Sequence, residues 1–96
     1  MAHYIIFFSF SQHGIENVKE IPHRVESFKQ LCDNKGVKIH GHYFTFGKYD
    51  VVFILEAPDD STIMATLMSL ESKGNVRSET LKAFTYEETK NIIDNL

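Results

Sequence analysis

Two histidines and a glutamate form the set of side chains best suited to hold a metal ion. His40 and His42 are two residues apart in one strand-like run, and Glu56 lies near the end of the next run. Residues two apart on a strand point to the same face, and two imidazoles with a carboxylate suit zinc or another divalent metal. The same groups also form ordinary cross-strand hydrogen bonds. Because no further metal motif accompanies them, we expect hydrogen bonding, with no bound metal and no other cofactor.

A second set of side chains has the chemistry for proton transfer. Asp50 offers a carboxylate, His42 an imidazole and Tyr49 a hydroxyl group. Such groups act as general acids, general bases and hydrogen-bond donors in enzymes. Phe44 and Val52 make the predicted surroundings partly apolar, which suits a small aromatic or polyketide-like substrate. This set indicates an enzyme as one alternative and binding without catalysis as the other.

The elements that position these residues follow from hydrophobic patterns and from helix-ending residues. The polar stretch 11–17 is predicted to be a connection. The predicted strands lie at 3–10, 37–46, 49–57 and 76–84. One predicted helix runs from Pro22 to a stop at Gly36, and a second lies between Pro58 and Gly74 with Met64 and Met68 on its apolar stripe. A terminal helix begins with a capping box of Thr85 and Glu88. This order matches the ferredoxin-like βαββαβ pattern, an α+β fold with a four-stranded antiparallel sheet, helices on one face and a short C-terminal helix. The first strand is expected to lie between the third and the fourth.

Length, charge and cysteine content narrow the range of functions. The 96 residues have room for one hydrophobic core, so residues 1–96 are predicted to form a single domain. A formal net charge of -3 and a pI near 5.9 provide no attraction for nucleic acids or anionic membranes. Cys32 is the only cysteine, and its place on a helical apolar stripe predicts a buried side chain without a disulfide. We find no targeting segment and expect a cytoplasmic protein.

One face of the predicted sheet has no helix to cover it. Along the first strand, Tyr4, Ile6 and Phe8 alternate with Ile5 and Phe7. An apolar set therefore remains on the open face, whichever set packs against the helices. A second copy of the chain would cover that face, and we predict a homodimer or higher oligomer packed sheet to sheet.

The hairpin between the second and third strands decides which side chains share a face. A three-residue turn of Gly47, Lys48 and Tyr49 pairs Phe46 with Asp50 and keeps the histidines out of the core. This register predicts two sets of side chains, one on each face. The helix-covered set is Ile39, Tyr43, Val51, Phe53 and Leu55, and the open-face set is His40, His42, Phe44, Asp50, Val52, Ile54 and Glu56.

Three polar segments are predicted to meet at one edge of the sheet, because the first strand ends where the third and fourth begin. They are residues 11–13, 47–50 and 75–79, which we call the polar edge. Loops held by a rigid sheet often carry binding groups. We also expect Asp50 to close the hairpin and to pair with Arg77. The ligand-binding candidates are His13, His42, Tyr49, Asp50 and Arg77, and no catalytic residue is assigned.

Three segments of the chain carry a resemblance to a known family. They are Gly47, Lys48, Tyr49 and Asp50; Glu56, Ala57, Pro58, Asp59 and Asp60; and Gly74, Asn75, Val76, Arg77, Ser78, Glu79, Thr80 and Leu81. With these segments the chain resembles the GYD-domain family over nearly its whole length. The glycine, tyrosine and aspartate of the family name are Gly47, Tyr49 and Asp50 here, with Lys48 inserted. The resemblance implies a ferredoxin-like bacterial protein of the dimeric α/β-barrel type, and it implies no established activity.

Together these features favour binding over catalysis. The leading expectation is a non-enzymatic oligomeric module that binds a small ligand or a protein partner at the polar edge. The alternative is a cofactor-free oxygenase or isomerase that acts on a small aromatic or polyketide-like molecule in the same pocket, an analogy with other proteins of this fold type.

Overall fold

Four antiparallel strands in the order β2-β3-β1-β4 form the sheet of the computed structural model, which describes residues 1–96. The strands are β1 Ala2–Phe10, β2 Lys38–Phe44, β3 Val51–Ala57 and β4 Val76–Ala83. The helices are α1 Gln12–Glu16, α2 Ile21–Asn34, α3 Asp60–Glu71 and α4 Tyr86–Asp94, with a 3-10 turn at Val18–Glu20. The predicted α+β, ferredoxin-like fold is confirmed, with β1 between β3 and β4 as expected.

The hydrophobic core lies between one face of the sheet and helices α2 and α3. Alternate residues of β1 and β3 point towards the helices, so each strand buries every second side chain. Phe28 packs edge-on against Phe8 and Phe53, and Cys32 is fully buried beside them, as predicted. In α3 the predicted apolar stripe is only partly right, because Met64 and Met68 are exposed. The core residues are Tyr4, Ile6, Phe8, Phe28, Cys32, Val37, Val51, Phe53, Leu55, Ala57, Ile63 and Leu67.

The connection predicted after β1 contains the short helix α1. Ser11 caps this helix, since its hydroxyl accepts a hydrogen bond from the backbone N–H of Gly14 at 3.1 Å. Gly14 is buried so close to β4 that a Cβ atom would lie 2.1 Å from the carbonyl oxygen of Asn75. A glycine therefore lets α1 rest directly on the backbone that leads into β4. The segment has too few apolar residues for a helical period, which explains why the pattern did not predict it.

The predicted register of the β2–β3 hairpin is wrong for three side chains. Residues 45–50 connect the strands instead of a three-residue turn, and the last strand pair is Phe44 with Val51. This shift by one residue moves Tyr43 to the open face and moves His42 and Phe44 to the helix-covered face. A β-bulge between Ile39 and Gly41 restores the predicted faces for the first residues of β2.

The face of the sheet opposite α2 and α3 is largely apolar. Ile5 pairs with Ile54 and Phe7 pairs with Val52 across β1 and β3, and all four side chains are half-buried. The terminal helix α4 begins with the predicted capping box of Thr85 and Glu88 and contains no buried residue. None of the helices combines the length and the hydropathy of a membrane span.

Candidate functional site

The polar edge forms at the end of β1 through backbone contacts. The backbone N–H of Asp50 donates to the carbonyl of Phe8 at 2.9 Å, and that of Ser11 donates to the carbonyl of Asn75 at 3.0 Å. The Ser11 hydroxyl also donates to the carbonyl of Gly74 at 2.5 Å. The structure therefore brings the hairpin loop and the start of β4 to the end of β1.

Asp50 is a hydrogen-bond acceptor for the backbone rather than half of an ion pair. Its Oδ2 atom accepts a hydrogen bond from the backbone N–H of Phe10 at 2.8 Å. Arg77 pairs with Ser9 in the β1–β4 register, and it forms no ion pair with Asp50, so that prediction is wrong. The Asp50 carboxylate instead satisfies the backbone at the end of β1, and Arg77 extends from the neighbouring strand β4.

Tyr49 lies over the open face of the sheet. Its ring packs on Phe7 with a centroid distance of 4.6 Å, and the Lys48 Nζ atom is 5.4 Å from the Tyr49 centroid. The Tyr49 hydroxyl donates to the Glu79 carboxylate, and this hydrogen bond raises the pKa of Tyr49. This hydrogen bond links the hairpin loop to β4.

The proposed acid–base set is not assembled. His42 stacks on Phe53 on the helix-covered side, with a centroid distance of 5.1 Å and an angle of 13° between the rings. Tyr49 lies on the opposite face, and the Asp50 carboxylate is already bonded to the end of β1. His13 is exposed on α1. Among the ligand-binding candidates, only Tyr49 and Asp50 therefore lie together in the hairpin loop. The enzymatic alternative requires the His42 imidazole beside them, and that ring is on the other face of the sheet.

A cavity of about 260 Å³ lies under the polar edge, between α2 and the sheet. Arg24 is its unusual residue, because two nitrogens of its side chain, Nε and Nη1, are buried and have no hydrogen-bond acceptor. The third, Nη2, donates to the carbonyls of Gly14 at 3.1 Å and Asn17 at 3.0 Å. No carboxylate forms an ion pair with this guanidinium. The other lining residues are mainly apolar and include Phe8, Phe10, Ile21, Phe28, Leu31, Phe44, Val51, Phe53 and Val76.

Sequence patterns predicted neither the cavity nor the role of Arg24. The one available signal is that Arg24 lies beside Val25 on the apolar stripe of α2, three residues after Ile21 and four before Phe28. A basic residue within such a stripe departs from the usual amphipathic pattern. Its hydrogen-bond partners, the carbonyls of Gly14 and Asn17, are brought to it by the tertiary fold.

A second cluster of titratable groups lies at the other end of the sheet. The His40 Nε2 atom is 2.7 Å from the Glu56 Oε1 atom, as expected for a cross-strand hydrogen bond, and the His3 Nε2 atom is 3.7 Å from the same oxygen. The hydrogen bond from His40 lowers the pKa of Glu56, which keeps this carboxylate ionised. The third group is therefore His3 and not the predicted His42.

The chain matches the model of the GYD domain over residues 4–93. A curated relative from Thermus thermophilus is 30% identical over 84 residues, which are 86% of this chain and 88% of the relative. That protein is named glutamine synthetase and cystathionine beta-lyase binding protein.

Solved structures with the same fold support this placement. A protein of known structure from Thermus thermophilus has a TM-score of 0.63 at 20% identity, over 88% of this chain and 95% of that one. A feast or famine regulatory protein from Mycobacterium tuberculosis has a TM-score of 0.67 at 12% identity, over 88% of this chain. The leucine response regulatory protein of that organism has a TM-score of 0.65 at 12% identity, over 88% of this chain. This chain spans 51% of each regulator. By the match over residues 4–93, the chain belongs to the GYD domain family.

Proposed function

We propose that this chain is a non-catalytic module that binds another protein through the β2–β3 hairpin and the adjacent polar edge. The observation that carries the proposal is a group of exposed aromatic side chains at the hairpin. Phe46 is fully exposed in the loop, and the side chains of Tyr43 and Phe44 are more than half exposed. Exposed aromatic residues beside polar groups are typical of protein interfaces.

The relative from Thermus thermophilus supports this proposal and supplies two candidate partners. Its name states that it binds glutamine synthetase and cystathionine beta-lyase. The similarity extends over 86% of this chain, so most of the sheet and its helices have a counterpart in that binding protein. We therefore propose the same two enzymes of the source organism as the first partners to test.

The experiment measures binding of the full chain to each purified enzyme by biolayer interferometry. Truncation of a central aromatic residue often weakens binding by about 2 kcal/mol or more, roughly 30-fold, and we expect such a loss for Phe46→Ser. The matched control is Phe84→Ser, since Phe84 is also exposed but follows β4 at the other end of the sheet. No binding to either enzyme, or equal losses in both variants, would contradict the proposed surface.

Self-association through the open face is the second part of the proposal. The side chains of Ile5, Phe7, Val52 and Ile54 form a continuous apolar row at the centre of that face. Neighbouring copies of a sheet often cover such rows, and a two-fold axis would place the same row on both sides of the contact. We propose a homodimer centred on this row.

A small ligand in the cavity is a second candidate function, favoured by the unpaired guanidinium. A buried cation without an anion is costly, so Arg24 would gain a charge-assisted hydrogen bond from a carboxylate whose apolar chain fills the cavity. The test is a calorimetric titration with octanoate and with octanol. Binding of octanoate that is lost in Arg24→Met supports this function, and equal affinity for octanol contradicts it.

A further inference from the structure

The cluster of His3, His40 and Glu56 is created by strand pairing and by one irregularity. His3 and Glu56 are direct partners across β1 and β3. His40 is the extra residue at the bulge of β2, between the pairs Ile39 with Leu55 and Gly41 with Ile54. A bulge turns one side chain away from the regular pattern, and bulges are frequent next to functional sites. Here the bulge directs the His40 ring towards the Glu56 carboxylate.

The three ligand atoms are close enough to converge on one ion. One nitrogen from each histidine and one oxygen of Glu56 lie within 4.8 Å of one another. In a tetrahedral zinc site, bonds of about 2.0–2.2 Å place ligand atoms about 3.4 Å apart. Small rotations of the side chains of His3 and His40, which are 26% and 47% exposed, would bring the atoms to that spacing.

A second carboxylate lies behind His3. The Nδ1 atom of His3 is buried without a hydrogen bond, and the Oε1 atom of Glu88 is 3.7 Å away. The capping box of α4 holds Glu88 in place, because its carboxylate accepts a hydrogen bond from the backbone N–H of Thr85 at 2.8 Å. Metal-bound histidines usually donate their other N–H to a carboxylate of this kind. Glu88 is therefore placed to orient His3.

We propose that His3, His40 and Glu56 bind one zinc-like divalent transition-metal ion, with Glu88 as the residue that positions His3. Two imidazoles and one carboxylate favour zinc over calcium or magnesium, which prefer oxygen ligands. The site goes beyond the proposed partner binding, since His3 is about 23 Å along β1 from the polar edge. A fourth position remains for water or for a ligand from another molecule.

The test is a calorimetric titration of the full chain with zinc near neutral pH. We expect one zinc ion per chain and no displacement by excess magnesium. His40→Ala and Glu56→Gln should abolish measurable binding, and Glu88→Gln should weaken it by about 10- to 100-fold. The matched control is His42→Gln, on the same strand but with its ring on the other face, and its affinity should equal that of the original chain.

Two further measurements distinguish loss of the metal site from loss of the fold. Circular dichroism verifies that each variant is folded, and cobalt absorption in the unmodified chain reports tetrahedral coordination by nitrogen and oxygen without any substitution. The proposal is overturned if zinc releases no heat, if His40→Ala retains its affinity, or if cobalt produces only the spectrum of the hydrated ion. It is also overturned if His42→Gln removes binding, because the ligand set would then be a different one.

Discussion

At the scale of single residues, Asp50 shows how a side chain expected to carry chemistry is used to end a strand. Its carboxylate bonds to the last backbone N–H of β1, and its own N–H bonds to the carbonyl of Phe8. Removing the carboxylate acceptor leaves the N–H donor unsatisfied. The free-energy cost of that unsatisfied donor exceeds the net contribution of the hydrogen bond to stability. Asp50 is therefore a structural residue of the polar edge.

Asp50→Ala should lower the free energy of unfolding by about 1–3 kcal/mol because the N–H of Phe10 loses its acceptor. Asp50→Asn keeps an acceptor oxygen and should lose less. Arg77→Met should change stability by less than about 0.5 kcal/mol. Urea unfolding of the single and double variants measures these values. A coupling free energy above about 0.5 kcal/mol between positions 50 and 77 would show that the Asp50 and Arg77 side chains interact, and would contradict this prediction.

Cys32 should be unreactive in the folded chain. Burial raises the pKa of its thiol to about 12, so the reactive thiolate is almost absent at mildly alkaline pH. Ellman's reagent should modify the thiol only as fast as the chain unfolds, and at once in concentrated guanidinium chloride. Rapid modification without denaturant would show that α2 opens locally and would contradict this prediction.

At the scale of elements, contacts between neighbouring segments decide where helices and strands rest. Gly14 permits α1 to touch the backbone before β4, and the bulge at His40 links β2 to the end of β3. Glu88 connects α4 to β1 through its 3.7 Å approach to His3. Each connection depends on one residue, so each can be tested by one substitution.

Gly14→Ala should destabilise the fold by about 1–3 kcal/mol, because the new methyl group would overlap the Asn75 carbonyl oxygen. The matched control is Gly41→Ala on β2, where the nearest atom would be 3.5 Å from the added Cβ. That substitution should leave the midpoint of thermal unfolding nearly unchanged. Equal shifts for the two variants would mean that α1 moves away from β4 without cost.

The carboxylates that join these elements should make stability depend on acid pH. The hydrogen bond from His40 lowers the pKa of Glu56, and bonds from the Thr85 backbone lower that of Glu88. The folded pKa values lie below the ordinary value of 4.5, so the stabilisation is present above that pH and is lost as pH falls through the folded values. Unfolding midpoints should therefore decrease below about pH 4.5 and decrease less in Glu56→Gln. If the unfolding midpoint falls equally with pH in the original chain and in Glu56→Gln, the pH dependence does not come from Glu56 and the prediction is contradicted.

At the scale of the whole molecule, three regions expose apolar side chains. The open face of the sheet carries the apolar row centred on Phe7 and Val52, and α4 and the residues after it expose Ile92, Ile93 and Leu96. The hairpin with Phe46 lies at the polar edge. Tyr43 pairs with Val52 and Tyr49 packs on Phe7, so the hairpin borders the apolar row of the proposed homodimer.

Val52→Asp should prevent self-association, because an unpaired charge in a dry contact costs several kcal/mol. Light scattering at micromolar concentration should report a dimer for the original chain and a monomer or aggregate for the variant. The matched control is Met64→Asp on the exposed side of α3, which should remain dimeric. A monomeric mass for the original chain would disprove the homodimer.

Local sequence determined the order of the strands and of the three longer helices, but not the short helix α1. Apolar alternation in β1 and β3, the stripe of α2 and the capping box of Thr85 are patterns within a few residues, and all were confirmed. The buried state of Cys32 followed from the same stripe. Such patterns can be recognised in the sequence because side chains on one face of a helix or strand recur at a fixed spacing, whatever element packs against that face.

Tertiary structure decided which of the candidate side chains share a site. The connecting residues 45–50 and the bulge at His40 set which histidine meets Glu56, and neither is visible in the alternation of β2. His3 joins them from a distant part of the sequence because β1 pairs with the end of β3. Arg24 is held at the cavity by hydrogen bonds from its Nη2 atom to the carbonyls of Gly14 and Asn17, which lie in another segment of the chain. A register that shifts by one residue reverses every side chain after it, so long-range pairing determined which groups share a site.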